Sequence, residues 1–282
     1  MPLLSPAPTP SARDVAVAGG GIAGMAAAFA LARAGWQPVV YEQAPAFSEV
    51  GAGVQLGPNV TRILRDWGLQ EALLACACQP RYLNARSATH GEVLARLDLH
   101  ALAQRYGAPY VSVHRADLHR VLLDAARAQG VPVHEATVVT AMREGASNLT
   151  DSSAHPSACL QVSWTHAAPA NPTEPDTQTA YAHWGIVADG VWSRLRQAVL
   201  NDAPPRWTGH LAYRALMPMN DLPSALRQAV RSDEASVWMG SDMHLVCYPV
   251  SAGQHLNVVC LVEADWPEAD AHLQDWSLQK TE

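Results

Sequence analysis

The sequence predicts an α/β protein in two parts, and three observations predict it. Residues 14–42 run from a short apolar stretch through a glycine cluster into an alanine-rich segment and out into a second apolar stretch, the pattern of strand, tight turn, helix and strand. From about residue 207 the pattern becomes a succession of β-like runs separated by turn residues, which predicts an antiparallel sheet. The 282 residues, 49% hydrophobic and 16% charged, are enough to bury about three quarters of the unfolded surface without staples.

Composition excludes several classes of function. With 19 basic and 26 acidic side chains the formal charge is −7, and the basic residues are scattered, so neither nucleic acid nor an anionic membrane is expected as a partner. No window approaches the roughly 18 apolar residues of a membrane span, and MPLLSPAPTPSA has neither a basic start nor an apolar core. The expectation is a soluble, cytoplasmic protein with residues 1–12 as a disordered leader. Five cysteines, Cys76, Cys78, Cys159, Cys247 and Cys260, form no CxxC pair and predict neither disulfides nor a metal site, only small buried hydrophobes.

In chain order, the first helix is built from strong formers such as Met25 and Leu31, and Gly35 is placed to take the left-handed conformation past its end. Residues 37–42 complete a βαβ unit. GAGVQLGPN (51–59) is a glycine-rich loop leading into a helix with Pro58 in its first turn, Val60, Ile63, Leu64 and Trp67 on one face, and Gly68 past its end. A helix is predicted over 117–129, with Leu118, Val121, Leu122 and Ala125 on one face and Gly130 as its stop; 131–142 reads as extended. Residues 145–180, rich in Ser, Thr, Pro and Asn, surround one β-like segment at 159–164 and predict a strand pair with long connections. The sequons at Asn59 and Asn148 carry no weight in a protein that is not exported. There is no internal repeat.

Gly19-Gly20-Gly21-Ile22-Ala23-Gly24 fits GxGxxG between the first strand and helix. Gly19 permits the sharp turn, Gly21 lets backbone approach a pyrophosphate, and Gly24 lets the helix pack on the sheet, while the helix N-terminus faces the phosphates. Glu42 follows Gly24 by 18 residues, at the end of the second strand, where a carboxylate can accept from both hydroxyls of a ribose. Asp189 and Gly190 follow the apolar run 184–188, which sets a carboxylate at the C-terminal edge of a strand, where α/β proteins bind ligands. Arg115 directly precedes a helix and can meet a phosphate or ribose bidentately, and Gln55 sits in the glycine loop.

Three separated segments resemble the class A FAD-dependent aromatic hydroxylases, in particular the salicylate hydroxylase-like and 6-hydroxynicotinate 3-monooxygenase-like members: the fingerprint with Glu42, GAGVQLGPN followed by HRADLHRVL (114–122), and GIVADGVWSRLR (185–196). The resemblance implies a Rossmann-like FAD-binding domain with a smaller β-rich substrate domain, and FAD contacts at Gly19, Gly21, Ala23, Gly24, Glu42, Gln43, Gln55, Arg115 and Asp189. It implies NADH or NADPH as co-substrate, O2 captured as a flavin C4a-hydroperoxide, and transfer of one oxygen to a small phenolic or carboxylated aromatic ring. A homodimer is an open assembly.

TGHLAYRAL (208–216) is similar to the strand that enters the substrate sheet in this family. A period of two puts His210, Ala212 and Arg214 on one face and Tyr213 on the other; His244, Val246 and Tyr248 likewise share a face. The catalytic candidates are His210 as base on a phenol, Tyr213 lining the site, and Arg214, or alternatively His244, pairing with a carboxylate, with Tyr248 orienting the ring. The alternative for Arg214 is a structural ion pair. The expected domains are 13–80 with 104–200 for FAD, and 81–103 with 205–282 for substrate.

Members of this family continue into a Gly-Asp motif that contacts the riboflavin half of FAD; this sequence has no such motif and ends at DWSLQKTE, which holds its only lysine, Lys280. Two alternatives therefore stand beside the monooxygenase: a truncated, non-catalytic FAD-binding fragment, and an NAD-dependent dehydrogenase.

Overall fold

The computed structural model describes residues 11–47, 52–145, 159–167, 176–231 and 233–264. The leader through residue 10, Gly51, Asn148 and Lys280 with the rest of the final octapeptide lie outside the described residues. In chain order the elements are β1 (Asp14–Ala18), α1 (Ile22–Arg33), β2 (Gln37–Tyr41), β3 (Gly53–Leu56), α2 (Pro58–Asp66), α3 (Gln70–Cys76), β4 (Tyr82–Ser87), β5 (Val93–Asp98), α4 (Leu99–Tyr106), β6 (Val111–His114) and α5 (Arg115–Ala128). They continue with β7 (Val133–His134), β8 (Thr137–Gly145), β9 (Cys159–His166), β10 (Gln178–Ala182), β11 (Trp184–Val187), α6 (Arg194–Leu200), β12 (His210–Pro218), α7 (Ser224–Ala229), β13 (Glu234–Met239), β14 (Met243–Val250) and β15 (His255–Glu263). The chain divides into two compact units, Met1–Ser48 with Leu122–Pro205 and Glu49–Val121 with Arg206–Glu282.

The first unit holds a parallel sheet in the order β11-β1-β2-β7 and an antiparallel sheet in the order β10-β9-β8. Val15, Ala16, Val17 and Ala18 are all buried, as expected of a strand with parallel neighbours on both sides. Gly24, Met25, Ala28 and Phe29 are the buried residues of α1. The helix stops as the sequence predicts: Gly35 adopts φ +79°, its N–H bonds to Ala32 O at 3.0 Å, and the N–H of Trp36 bonds to Leu31 O at 3.0 Å. Ala16, Ala18, Tyr41, Met142, Val162, Ala182 and Leu195 form one core, with Trp164 packed against it. β11 is the edge of its sheet among the described residues, with Trp184 56% exposed and Val187 37% exposed.

The second unit is built on a six-stranded sheet in the order β12-β15-β14-β13-β4-β5, beside a two-stranded ribbon of β3 and β6. The four β-like runs after residue 207 become β12, β13, β14 and β15, but the sheet is mixed, because β13 pairs in parallel with β4. Trp238, Cys247, Leu245, Leu256 and Met217 pack with Leu222 and Val230 on one side; Ala235, Val246, Tyr248, Val250, Leu216 and Leu83 form a separate cluster. Between β4, β5 and β13 the buried Glu234 accepts from Asn84 Nδ2 at 2.7 Å and from Arg86 at 3.2 Å, while Arg96 Nε donates to Asn84 Oδ1 at 2.8 Å.

The units also divide differently from the expected domains. Residues 52–80 and 104–121 group with the substrate sheet, because β3 pairs with β6, Cys78 bridges Ser112, and Ser112 Oγ donates to Pro249 O at 2.6 Å. The buried face of α5 comprises Leu118, Leu122, Leu123 and Ala126, one position on from the expected Val121 and Ala125. Every cysteine is a free thiol; Cys159 and Cys247 are buried, whereas Cys76, Cys78 and Cys260 are only half-buried. Among the described residues no helix is long and apolar enough to cross a membrane, and no group of side chains is suited to a metal ion.

Candidate functional site

In the first unit the turn after β1 is made by its glycines for two different reasons. Gly19 has φ +100°, and a Cβ there would collide with the carbonyl of Ala188; a Cβ on Gly24 would collide with the carbonyl of Gly19. Both are needed by the protein itself. Gly21 is not: its backbone is extended, at φ −68° and ψ −175°, and a Cβ would meet nothing within 4 Å. It is also the N-cap of α1, which among the described residues has no side-chain cap and no acidic residue in its first turn, so the positive end of the helix is uncompensated there.

Glu42 follows β2 directly. Its Oε2 accepts the N–H of Gly20 at 2.6 Å and its Oε1 the N–H of Ala44 at 2.7 Å, so the carboxylate braces the turn and keeps lone pairs for further donors. On the other side of β1, the N–H of Ala188 bonds to Ala18 O at 2.8 Å and brings Asp189 beside the turn. Asp189 Oδ1 is buried and, among the described residues, accepts no hydrogen bond. Gly190 turns the chain at φ +86°, and Ser193 caps α6 by accepting from the N–H of Arg196 at 2.9 Å. Ala23 and Gln43 are exposed. An uncapped helix start, an open Gly21 and an orphaned acidic oxygen fit a dinucleotide.

In the second unit Arg115 opens α5, its N–H bonded to Ala52 O at 2.8 Å. Gln55 accepts from the Tyr110 hydroxyl at 2.6 Å, and its own Nε2 is buried without an acceptor. The register of β12 on β15 and of β14 on β15 puts His210, Arg214, His244 and Tyr248 on one face of the sheet, the shared face that alternation predicts. Tyr213 lies on the opposite face, as the alternation predicts, and is 55% exposed. A cavity of about 330 Å³ is lined by His210, His244, Glu263 and the apolar Val237, Met239 and Leu261. His210 Nδ1 lies 2.9 Å from Thr208 O; a carbonyl only accepts, so Nδ1 carries a proton and Nε2 is the nitrogen left for a ligand. Burial pushes the Tyr248 phenol up to about 12, against the pull of Arg214.

Two residues escaped the sequence reading. Asn257 and Tyr110 bond to Gly53 and Gln55 respectively. The signal for Asn257 was a polar residue inside the apolar run LNVVCLVE.

A nucleotide-binding βαβ unit with a separate mixed sheet defines a flavoprotein-type architecture. The chain belongs to the FAD binding domain family, whose model matches residues 12–275. It is 36% identical over 267 residues to 3-hydroxybenzoate 6-hydroxylase of Polaromonas naphthalenivorans (strain CJ2), covering 92% of this chain and 59% of that protein. It is 34% identical over 238 residues to 6-hydroxynicotinate 3-monooxygenase of Pseudomonas fluorescens, covering 84% of this chain and 55% of that protein. Among solved structures, Klebsiella pneumoniae HpxO complexed with FAD and uric acid matches with TM-score 0.72 and 26% identity, over 91% of this chain and 58% of that one. The chain thus spans under two thirds of the length of the relatives it matches.

Proposed function

We propose that the chain carries the FAD-binding and substrate parts of an NAD(P)H-consuming monooxygenase that hydroxylates a small aromatic ring bearing a phenol or carboxylate. The observation that carries this reading is the open Gly21 at an uncapped helix start, braced by Glu42 and flanked by the orphaned Asp189 Oδ1. The relatives support it: proteins 36% and 34% identical over the matched residues act, by their names, on 3-hydroxybenzoate and 6-hydroxynicotinate.

Each residue then has a role of its own. Amides at Gly21, Ala23 and Gly24 meet the pyrophosphate, with Gly19 making their turn; Glu42 and Gln43 meet the ribose; Asp189, Gln55 and Arg115 are further FAD contacts. FAD, when bound, supplies reduction of O2 and transfer of one oxygen atom. His210 Nε2 takes the proton of a substrate phenol, which raises the electron density of the ring, and Val237, Met239 and Leu261 offer it an apolar wall. Among the described residues Arg214 makes no ion pair, and it offers a charge to a substrate carboxylate from the same face.

The test is to record the visible spectrum of the purified chain with FAD and to follow NADH and NADPH oxidation with 3-hydroxybenzoate, 6-hydroxynicotinate or salicylate present. A flavin spectrum with nucleotide oxidation that rises on adding an aromatic acid is the expected result. Absence of flavin binding would sink the reading, and saturable NAD binding without FAD would favour a dehydrogenase.

A further inference from the structure

Asn257 stands in β15 between Leu256 and Val258 and is completely buried. Its Oδ1 accepts the N–H of Gly53 at 2.6 Å, across 204 positions of chain, while its Nδ2 meets no acceptor. Burial penalises an idle amide donor, so packing alone would favour a leucine here, and the side chain's one bond is what distinguishes it. Gly53 is shaped to the same contact. A Cβ there would lie 2.5 Å from the Tyr248 ring and 2.7 Å from the carboxamide carbon of Asn257.

The segment so held carries more than itself. Ala52, one residue back, accepts the N–H of Arg115 at 2.8 Å. Gln55, two residues on, is set opposite Ser112 by the pairing of β3 with β6 and is gripped by the Tyr110 hydroxyl at 2.6 Å. One short backbone stretch therefore fixes both Gln55 and Arg115, and Asn257 fixes the stretch.

We infer that Asn257 is a positioning residue for FAD. It touches no cofactor atom; through Gly53 it holds the backbone that presents Gln55 and Arg115, and the Tyr110 bond turns the Gln55 amide so that its buried Nε2 is left to donate to the ligand. The inference rests on the reading of Gln55 and Arg115 as FAD contacts.

The experiment titrates the full 282-residue chain with FAD, reading flavin fluorescence and visible circular dichroism, for wild type, Asn257→Leu and Asn257→Asp. Leucine keeps the branched heavy-atom shape and removes the acceptor, whereas aspartate keeps an acceptor for Gly53 while placing an ionisable group in a fully buried site. Leucine is expected to weaken FAD binding about tenfold and to change the visible flavin bands, with aspartate falling between leucine and wild type. Wild-type affinity and bands in the leucine variant overturn the inference, as does an aspartate variant as impaired as leucine. If wild type itself fails to bind FAD, the flavin reading falls and takes the inference with it; binding by wild type keeps the two failures apart. Should the leucine variant not fold, Tyr110→Phe removes only the hydroxyl on Gln55: altered flavin bands at unchanged melting temperature are expected, and unaltered bands overturn the inference.

Discussion

Glu42 and Gly20 are joined by a 2.6 Å hydrogen bond from the backbone N–H of the glycine to the carboxylate, so the acid at the end of the second strand holds the turn after the first. A charge-assisted bond of this kind contributes about 1.5–3 kcal/mol. Glu42→Ala should therefore weaken FAD binding by about that amount, through the ribose it no longer meets and the turn it no longer braces. Isothermal titration measures the change, and an affinity equal to wild type would remove Glu42 from the site.

Gly21→Val separates binding from folding. The extended backbone at Gly21 accepts any residue and its Cβ has open space, so the variant should fold with an unchanged melting temperature. FAD retention should be lost, because the isopropyl group fills the approach to the helix start. Flavin that copurifies with a folded valine variant in wild-type proportion contradicts the assignment.

The fingerprint, its helix, the Gly35 stop and the four late strands were legible in the sequence because each is encoded within a dozen residues, by glycine placement or by alternation. What was not legible is long-range pairing. The parallel partner of β13 is β4, about 150 residues earlier, and no local pattern distinguishes a parallel from an antiparallel neighbour there. The helices α3, α6 and α7 are too short to display two turns of periodicity, and Asn257 gains its meaning only from Gly53.

His210 should register as a base before any turnover. With Nδ1 committed to Thr208 O, Nε2 is free to take a phenolic proton. Binding of a phenolic substrate should give the red-shifted ultraviolet spectrum of a phenolate in wild type and that of the neutral phenol in His210→Phe. Equal difference spectra would relieve His210 of the role.

Tyr248 sets a pH dependence at the alkaline end. Burial raises its folded pKa to about 12, so its contribution to stability is whole below the ordinary tyrosine pKa of about 10 and is lost as pH rises through about 12. Urea denaturation from below to above that ordinary value of about 10 should show a steeper loss of stability in wild type than in Tyr248→Phe. Parallel pH profiles would count against a buried neutral phenol.

Glu234 should matter to stability alone. Its side chain is 4% exposed and it answers Asn84 and Arg86, with Arg96 and Arg231 within 3.7 Å. Glu234→Ala strands a guanidinium that is only 16% exposed and should cost about 3–5 kcal/mol in chemical denaturation. A loss under about 1 kcal/mol would mean that the arginines find water instead.

The wall behind Gly19 is the carbonyl of Ala188, which the chain supplies only after 168 further residues have been made. A nascent polypeptide emerging from the ribosome therefore carries the glycine signature long before it owns the strand that backs it. Capture of a nucleotide therefore waits for that strand, and chains interrupted before Asp189 should emerge colourless however complete their first βαβ unit.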